Sequence, residues 1–194
     1  MTPEDITILI RKRRSVFPKD YTGEQVDDSI VHQMLENANW APTHKLTEPW
    51  RFIVYSGDGL KELAELQSEV YKKVTMADGT FREERYQNLK TKPLASSHII
   101  LIYMKRDEKM SVPEIEEMGA VFCAVQNMYL TAAAYGIGCY LSTGGVTYFH
   151  DTKEAFGLGS SDRIIGFLNI GTPKHHGQPA KRTPIAEKVT WVKE

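Results

Sequence analysis

The sequence predicts a single α+β domain in which helices pack against a mixed β-sheet, and three observations carry that expectation. Compact β-rich runs at Phe52–Tyr55 and Ile99–Tyr103 alternate with longer segments whose apolar residues recur at helical spacing. The length, 194 residues, suits one sizeable core and is short for two. No internal repeat, low-complexity tract or linker divides the chain, so the expected domain spans residues 1–194.

Taken in order, Thr2, Pro3 and Asp5 read as an N-cap, a first-turn proline and an acidic first turn, opening a helix with Ile6, Leu9 and Ile10 on its apolar face. That helix runs into a basic cluster, Arg11-Lys12-Arg13-Arg14-Ser15. Thr22 with Gln25 repeats the capping pattern, so a second helix is expected from there, carrying Val26, Ile30, Met34 and Leu35 and ending at Ala41-Pro42. His44 and Lys45 then fall on a loop, and Trp40 and Trp50 read as core aromatics. After the strand at Phe52–Tyr55, Leu60, Leu63, Leu66 and Val70 mark a third helix. From Thr75 to Pro93 the chain is polar and charged, which suits a mobile cover or a short exposed helix governing specificity. The run Ile99–Tyr103 does not alternate, so it should be a strand buried on both faces. Ser111, Pro113 and Glu114 then open a long helix through Tyr135 that is apolar or small nearly all round. Such a helix must be enclosed by its own domain or by another subunit, and for so small a chain a homodimer is the simpler expectation.

Composition removes several function classes. A formal net charge of −1 does not suit a general nucleic-acid binder, which needs excess Lys and Arg to displace counterions. Cys123 and Cys139 form no CxxC pair and read as reduced, buried thiols of a cytoplasmic protein. The N-terminus lacks the order of a secretory signal, and Val121–Leu141 contains Gln126, Asn127 and Thr131, which argues against a membrane span. The histidines show no metal-ligand spacing, and there is no GxSxG elbow, Walker loop or GxGxxG after a strand.

What stays is anion chemistry. Clustered guanidinium groups beside a serine donor suit a phosphate or another planar, electron-rich anion, because Arg presents a rigid fork of donors and keeps its charge. Taken alone, the same cations could merely complement a helix C-terminus. Likewise His44 and Lys45 could be loop polar groups, Ser142-Thr143-Gly144-Gly145 an ordinary turn, and Lys181-Arg182 an exposed pair of charges.

Five motifs in order change the reading. Arg13-Arg14-Ser15, then Ala41-Pro42-Thr43-His44-Lys45 with Pro49-Trp50, then Ala133-Ala134-Tyr135-Gly136-Ile137-Gly138-Cys139-Tyr140, Ile164–Pro173 and Lys181-Arg182-Thr183-Pro184 together resemble the FMN-dependent nitroreductase family across nearly the whole chain. The resemblance implies a mainly antiparallel central sheet flanked by helices in an intertwined homodimer, with FMN at the subunit interface. It also implies NADH or NADPH as donor and ping-pong hydride transfer through flavin N5 to a nitroaromatic, quinone or similar small-molecule acceptor. Under it, Arg13, Arg14, Ser15, His44, Ser142, Thr143, Gly144, Gly145 and Arg182 contact the cofactor. A cation near N1 and O2 would stabilise the charge that accumulates on hydride uptake, Arg182 would reach the phosphate, and the glycine backbone would approach the ring and N5. No catalytic side chain is expected, since the flavin carries the chemistry. Lys92 is a weaker ring or ribityl contact. Trp40 stands where relatives can carry a basic residue, so the flavin edge there would be packed rather than charged. On the same fold, flavin destruction, dehalogenation or reduction of unsaturated compounds are alternatives, as are a non-catalytic flavin sensor or store and a basic-patch protein without flavin.

Overall fold

A computed structural model describes residues 2–175 and 180–193 of the chain. Helix α1 (Pro3–Lys12) has the expected N-terminus: the Thr2 hydroxyl accepts from the Asp5 N–H at 3.2 Å, and the Asp5 carboxylate accepts from the Thr2 N–H at 2.7 Å. None of its residues is buried, and Ile6, Ile8 and Ile10 are about half exposed.

The second helix, α2 (Asp28–Ala38), starts later than Thr22 and Gln25 predict. Thr22 instead makes a local turn, accepting from the Glu24 N–H at 3.1 Å, while the N–H of Val26 donates to Ser97 Oγ at 2.8 Å. The cap is Asp27, which accepts from the Ser29 N–H at 2.7 Å. Buried His98 bridges Ser97 Oγ (2.9 Å) and Asp28 Oδ1 (3.0 Å), pinning this helix start to the sheet. A tertiary anchor therefore overrides a local capping pattern. The helix also ends before Ala41, which turns Trp40 outward at 84% exposure, contrary to its expected core position. Trp50 does enter the core, its indole N–H donating to Asn39 Oδ1 at 3.0 Å.

Strand β1 (Trp50–Ser56), helix α3 (Gly59–Ala77), helix α4 (Glu83–Thr91) and strand β2 (His98–Met104) follow. Of the two expectations for the polar stretch, a mobile cover or a short exposed helix, the structure has the helix: the end of α3 and a turn held by Asp78 and Thr80 lead to α4, which has no buried residue and runs into a 3-10 turn at Lys92–Ala95. Next come α5 (Glu114–Ala134), β3 (Gly138–Ser142), α6 (His150–Ala155) and β4 (Arg163–Gly171). Pro113 precedes α5 without a side-chain cap bond. The carboxylate of Glu117, fully buried on this helix, instead pairs with Arg106 and accepts from the Asp107 N–H, tying α5 to the end of β2.

The four strands run in the order β1-β2-β4-β3, each pair antiparallel. A parallel contribution comes from the isolated bridge between Ser15 and Cys139. Strand β2 is buried on both faces, as its unbroken apolar run predicts. Ile100, Ile102 and Met104 face a core built with Val31 and Met34 of α2 and Val121, Val125 and Met128 of α5. Ile99 and Leu101 face the opposite core with Leu60, Leu63 and Tyr71 of α3 and Phe167 of β4. Each such side chain contributes about 1.5–3 kcal/mol on burial, so the doubly covered β2 anchors both layers.

The segment after α1 is clamped onto β3 and β4. Buried Tyr21 donates its hydroxyl toward Val16 O (2.9 Å) and Asn169 O (3.1 Å) and bridges Pro173. Its ring lies where a Cβ on Gly171 would sit, 2.4 Å from the nearest ring atom, so only glycine admits the clamp. Contrary to the expected pair of buried thiols, Cys139 is buried but Cys123 is exposed on α5.

Candidate functional site

The clamp, the C-terminal end of β3 and helix α4 enclose a cavity of about 720 Å³. Phe17, Leu89, Tyr140, Val146 and Phe167 supply its apolar lining, with the Phe17 and Tyr140 rings 4.4 Å apart between centroids. Gln67, Asn88, Ser142 and Asn169 supply neutral polar groups, and Lys19, Arg85 and Lys92 supply cations. No carboxylate among the described residues lines it. Among the described residues, none of these three cations forms an ion pair. A volume in the range of small-molecule sites, with aromatic sides and uncompensated positive charge, fits a planar ligand that carries an anionic group.

The glycine turn closes one side. Strand β3 ends at Ser142; Gly144 is extended and Gly145 has φ +65 in the left-handed region, opening a 3-10 turn. A Cβ at Gly144 would meet nothing within 4 Å, so its backbone is open to close approach. At Gly145 a Cβ would lie 2.7 Å from Nη2 of Arg85, so the missing side chain is what lets α4 lay its guanidinium on the turn.

Of the residues singled out from sequence, Ser142, Gly144 and Gly145 line the cavity, and so does Lys92. Thr143 is exposed between two lining residues without lining it. Arg13 and Ser15 lie behind the site rather than in its wall. The Arg13 guanidinium sits 5.2 Å from the centroid of the Tyr129 ring, and Ser15 forms a β-bridge with Cys139. The Tyr129 hydroxyl in turn accepts from the Leu141 N–H at 2.7 Å, so this trio holds the strand that delivers Ser142. Burial raises the Tyr129 pKa and pushes the Cys139 thiol up to about 12, which keeps both neutral around the working range. Arg14 donates to Arg11 O (2.6 Å) and Arg13 O (2.7 Å). His44 is paired with Glu116 of α5, and neighbouring Lys45 donates to Ser111 O at 2.8 Å. Arg182 is exposed and donates to Lys181 O at 2.9 Å. Within one chain the cavity therefore gathers the glycine turn and Lys92, but not Arg13, Arg14, Ser15, His44 or Arg182.

Sequence reasoning missed Lys19, Arg85, Asn88, Tyr140 and Asn169 as cavity residues. A signal for α4 was present: Arg85, Asn88, Leu89 and Lys92 recur at i, i+3, i+4 and i+7, one face of a helix. Among the described residues there is no group of His, Cys, Asp and Glu able to hold a metal ion, and no helix is long and apolar enough to cross a membrane.

Comparison with known proteins agrees with this architecture. The profile of the nitroreductase family matches residues 10–172. YfhC of Bacillus subtilis, provisionally named an NAD(P)H nitroreductase, is 31% identical over 182 residues, covering 94% of this chain and 91% of its own. The crystal structure of a nitroreductase-like family protein from Bacillus cereus superposes with a TM-score of 0.85 at 30% identity, covering 100% of this chain and 99% of the other. A provisionally assigned nitroreductase from Desulfovibrio desulfuricans, crystallised in complex with FMN, gives a TM-score of 0.72 at 25% identity, covering 100% and 99%.

Proposed function

Because the chain belongs to the nitroreductase family of oxidoreductases, we propose that it is an FMN-dependent NAD(P)H oxidoreductase acting on a small aromatic or quinonoid acceptor in the cavity under α4. The observation that carries this reading is the cavity itself. It pairs aromatic sides and an open glycine backbone with three cations and, among the described residues, no carboxylate, a match for a planar ring system bearing a phosphate. The donor set thus fits FMN, which the related Desulfovibrio protein binds. When bound, FMN supplies two-electron chemistry, accepting hydride from NADH or NADPH and passing it to the acceptor.

The chain's own residues bind and orient. Lys19 and Lys92 offer positive charge to a phosphate or to the electron-rich edge of the ring system, where a preorganised cation stabilises developing negative charge. Gly144, with nothing within 4 Å of where a Cβ would stand, lets backbone groups reach the ring plane. Phe17, Tyr140 and Phe167 exclude water from the ring's flanks.

Arg13, Arg14, His44 and Arg182 enter through a homodimer with the cofactor at its seam. Three sets of exposed apolar residues support that assembly: Ile6, Ile8 and Ile10 of α1, Ile115 and Phe122 of α5, and Ile185, Trp191 and Val192 of the C-terminal arm. Purified protein should be yellow and should bleach under anaerobic NADH or NADPH, then recover with a nitroaromatic or quinone. A colourless protein that ignores added FMN would refute the reading. A bound flavin that neither donor bleaches would leave only a sensor or store.

A further inference from the structure

Helix α4 is held to α3 by its outward-facing polar groups. The Tyr86 hydroxyl donates to Glu69 at 2.6 Å, and Lys90 pairs with Glu65 at 3.0 Å. Arg85, on the same helix, is different. Its guanidinium meets no carboxylate among the described residues and lies against Gly145, whose missing Cβ leaves the room it occupies. The positive φ of Gly145 also disfavours any side chain there, so the room beside the turn stays open. Two other cations, Lys19 and Lys92, line the same cavity and are available to the cofactor. Arg85 is therefore an exposed planar fork of donors at the cavity mouth, beside the turn assigned to the ring, with nothing of opposite sign to engage.

We propose that Arg85 selects the acceptor, and that the acceptor class is a planar aromatic compound bearing a carboxylate. This rests on the flavoenzyme reading above. An acceptor lying over the ring passes beneath α4 and presents its edge to Arg85, and a carboxylate there completes the bidentate pair that the chain itself does not supply. The carboxylate takes no part in the redox step: one NAD(P)H and one proton convert a nitro group to nitroso and water.

The test compares para-nitrobenzoate with para-nitrobenzyl alcohol, using the FMN-loaded protein and a single donor. Wild type should favour the carboxylate. In Arg85→Leu the ratio of kcat/KM for the carboxylate over the alcohol should fall about tenfold or more, mainly through KM, and Arg85→Lys should keep an intermediate ratio. Equal losses on both acceptors, or loss of bound FMN, would mean that Arg85 serves the cofactor and would overturn the proposal. A change that follows NADPH against NADH instead of the acceptor would place the anion on the donor's 2′-phosphate and overturn it equally. Wild-type protein that binds no FMN, or oxidises neither donor, would sink the underlying reading itself.

Discussion

Cys139 lies behind the candidate site, 1% exposed and bridged to Ser15, and desolvation pushes its thiol from an ordinary 9.0 up to about 12. A pKa raised in the folded state means the folded protein holds its proton where the unfolded chain has lost it. Stability is then complete below the unfolded value and declines as pH rises from about 9 toward about 12. Burial moves Tyr21 in the same direction, reinforcing the alkaline loss. Urea titrations across that window should show the decline, and Cys139→Ala should flatten part of it. At neutral pH a thiol reagent should reach buried Cys139 only after unfolding. Gly166 offers a steric test beside the same strand. Its φ is +157 and a Cβ would stand 2.5 Å from Ser142 O, a backbone atom that cannot swing aside. Gly166→Ala should cost about 1–3 kcal/mol in denaturant unfolding and disturb Ser142. At this scale the sequence announces glycines readily, but whether a glycine is a hinge, a cradle or a clearance is decided by a neighbour far along the chain, as with Tyr21 against Gly171.

Elements were legible where local pattern and packing agree. The unbroken apolar run of β2 announced burial on both faces, and Thr2 with Asp5 announced the cap of α1 because nothing tertiary competes there. The start of α2 was misread because Ser97 claims the Val26 N–H and His98 claims Asp28, contacts about seventy residues apart that no window of sequence displays. Helix α4 was obscured by its charge, although its cavity-facing stripe was there to be found. The join between β2 and α5 depends on the pair Arg106 and Glu117, the latter 1% exposed. Removing one partner leaves an uncompensated buried charge, so Glu117→Gln should cost about 3–5 kcal/mol by chemical denaturation, whereas Arg106→Met combined with Glu117→Leu should cost much less. Similar losses in the single and double variants would show that the pair contributes through packing alone.

For the whole molecule, the cations that most resemble a cofactor set are scattered within one chain, with Arg182 on an arm whose described residues, 180–193, are all exposed. That arm carries Ile185, Trp191 and Val192 at 73%, 79% and 94% exposure, a pattern a lone chain has no physical reason to keep in water. Laid across a second copy, these side chains would join the bare faces of α1 and α5 in one apolar seam and would carry Arg182 with them. Homodimerisation and flavin retention should therefore fall together. Truncation after His175 should yield a monomer in analytical ultracentrifugation with little bound FMN. If Arg182 reaches the phosphate as proposed, Arg182→Glu alone should leave the dimer intact while lowering flavin content, because it removes charge without removing apolar area. If the truncated protein stayed dimeric and fully yellow, the arm would have no part in the seam, and the cofactor charge would have to come from Lys19 and Lys92 of the cavity alone.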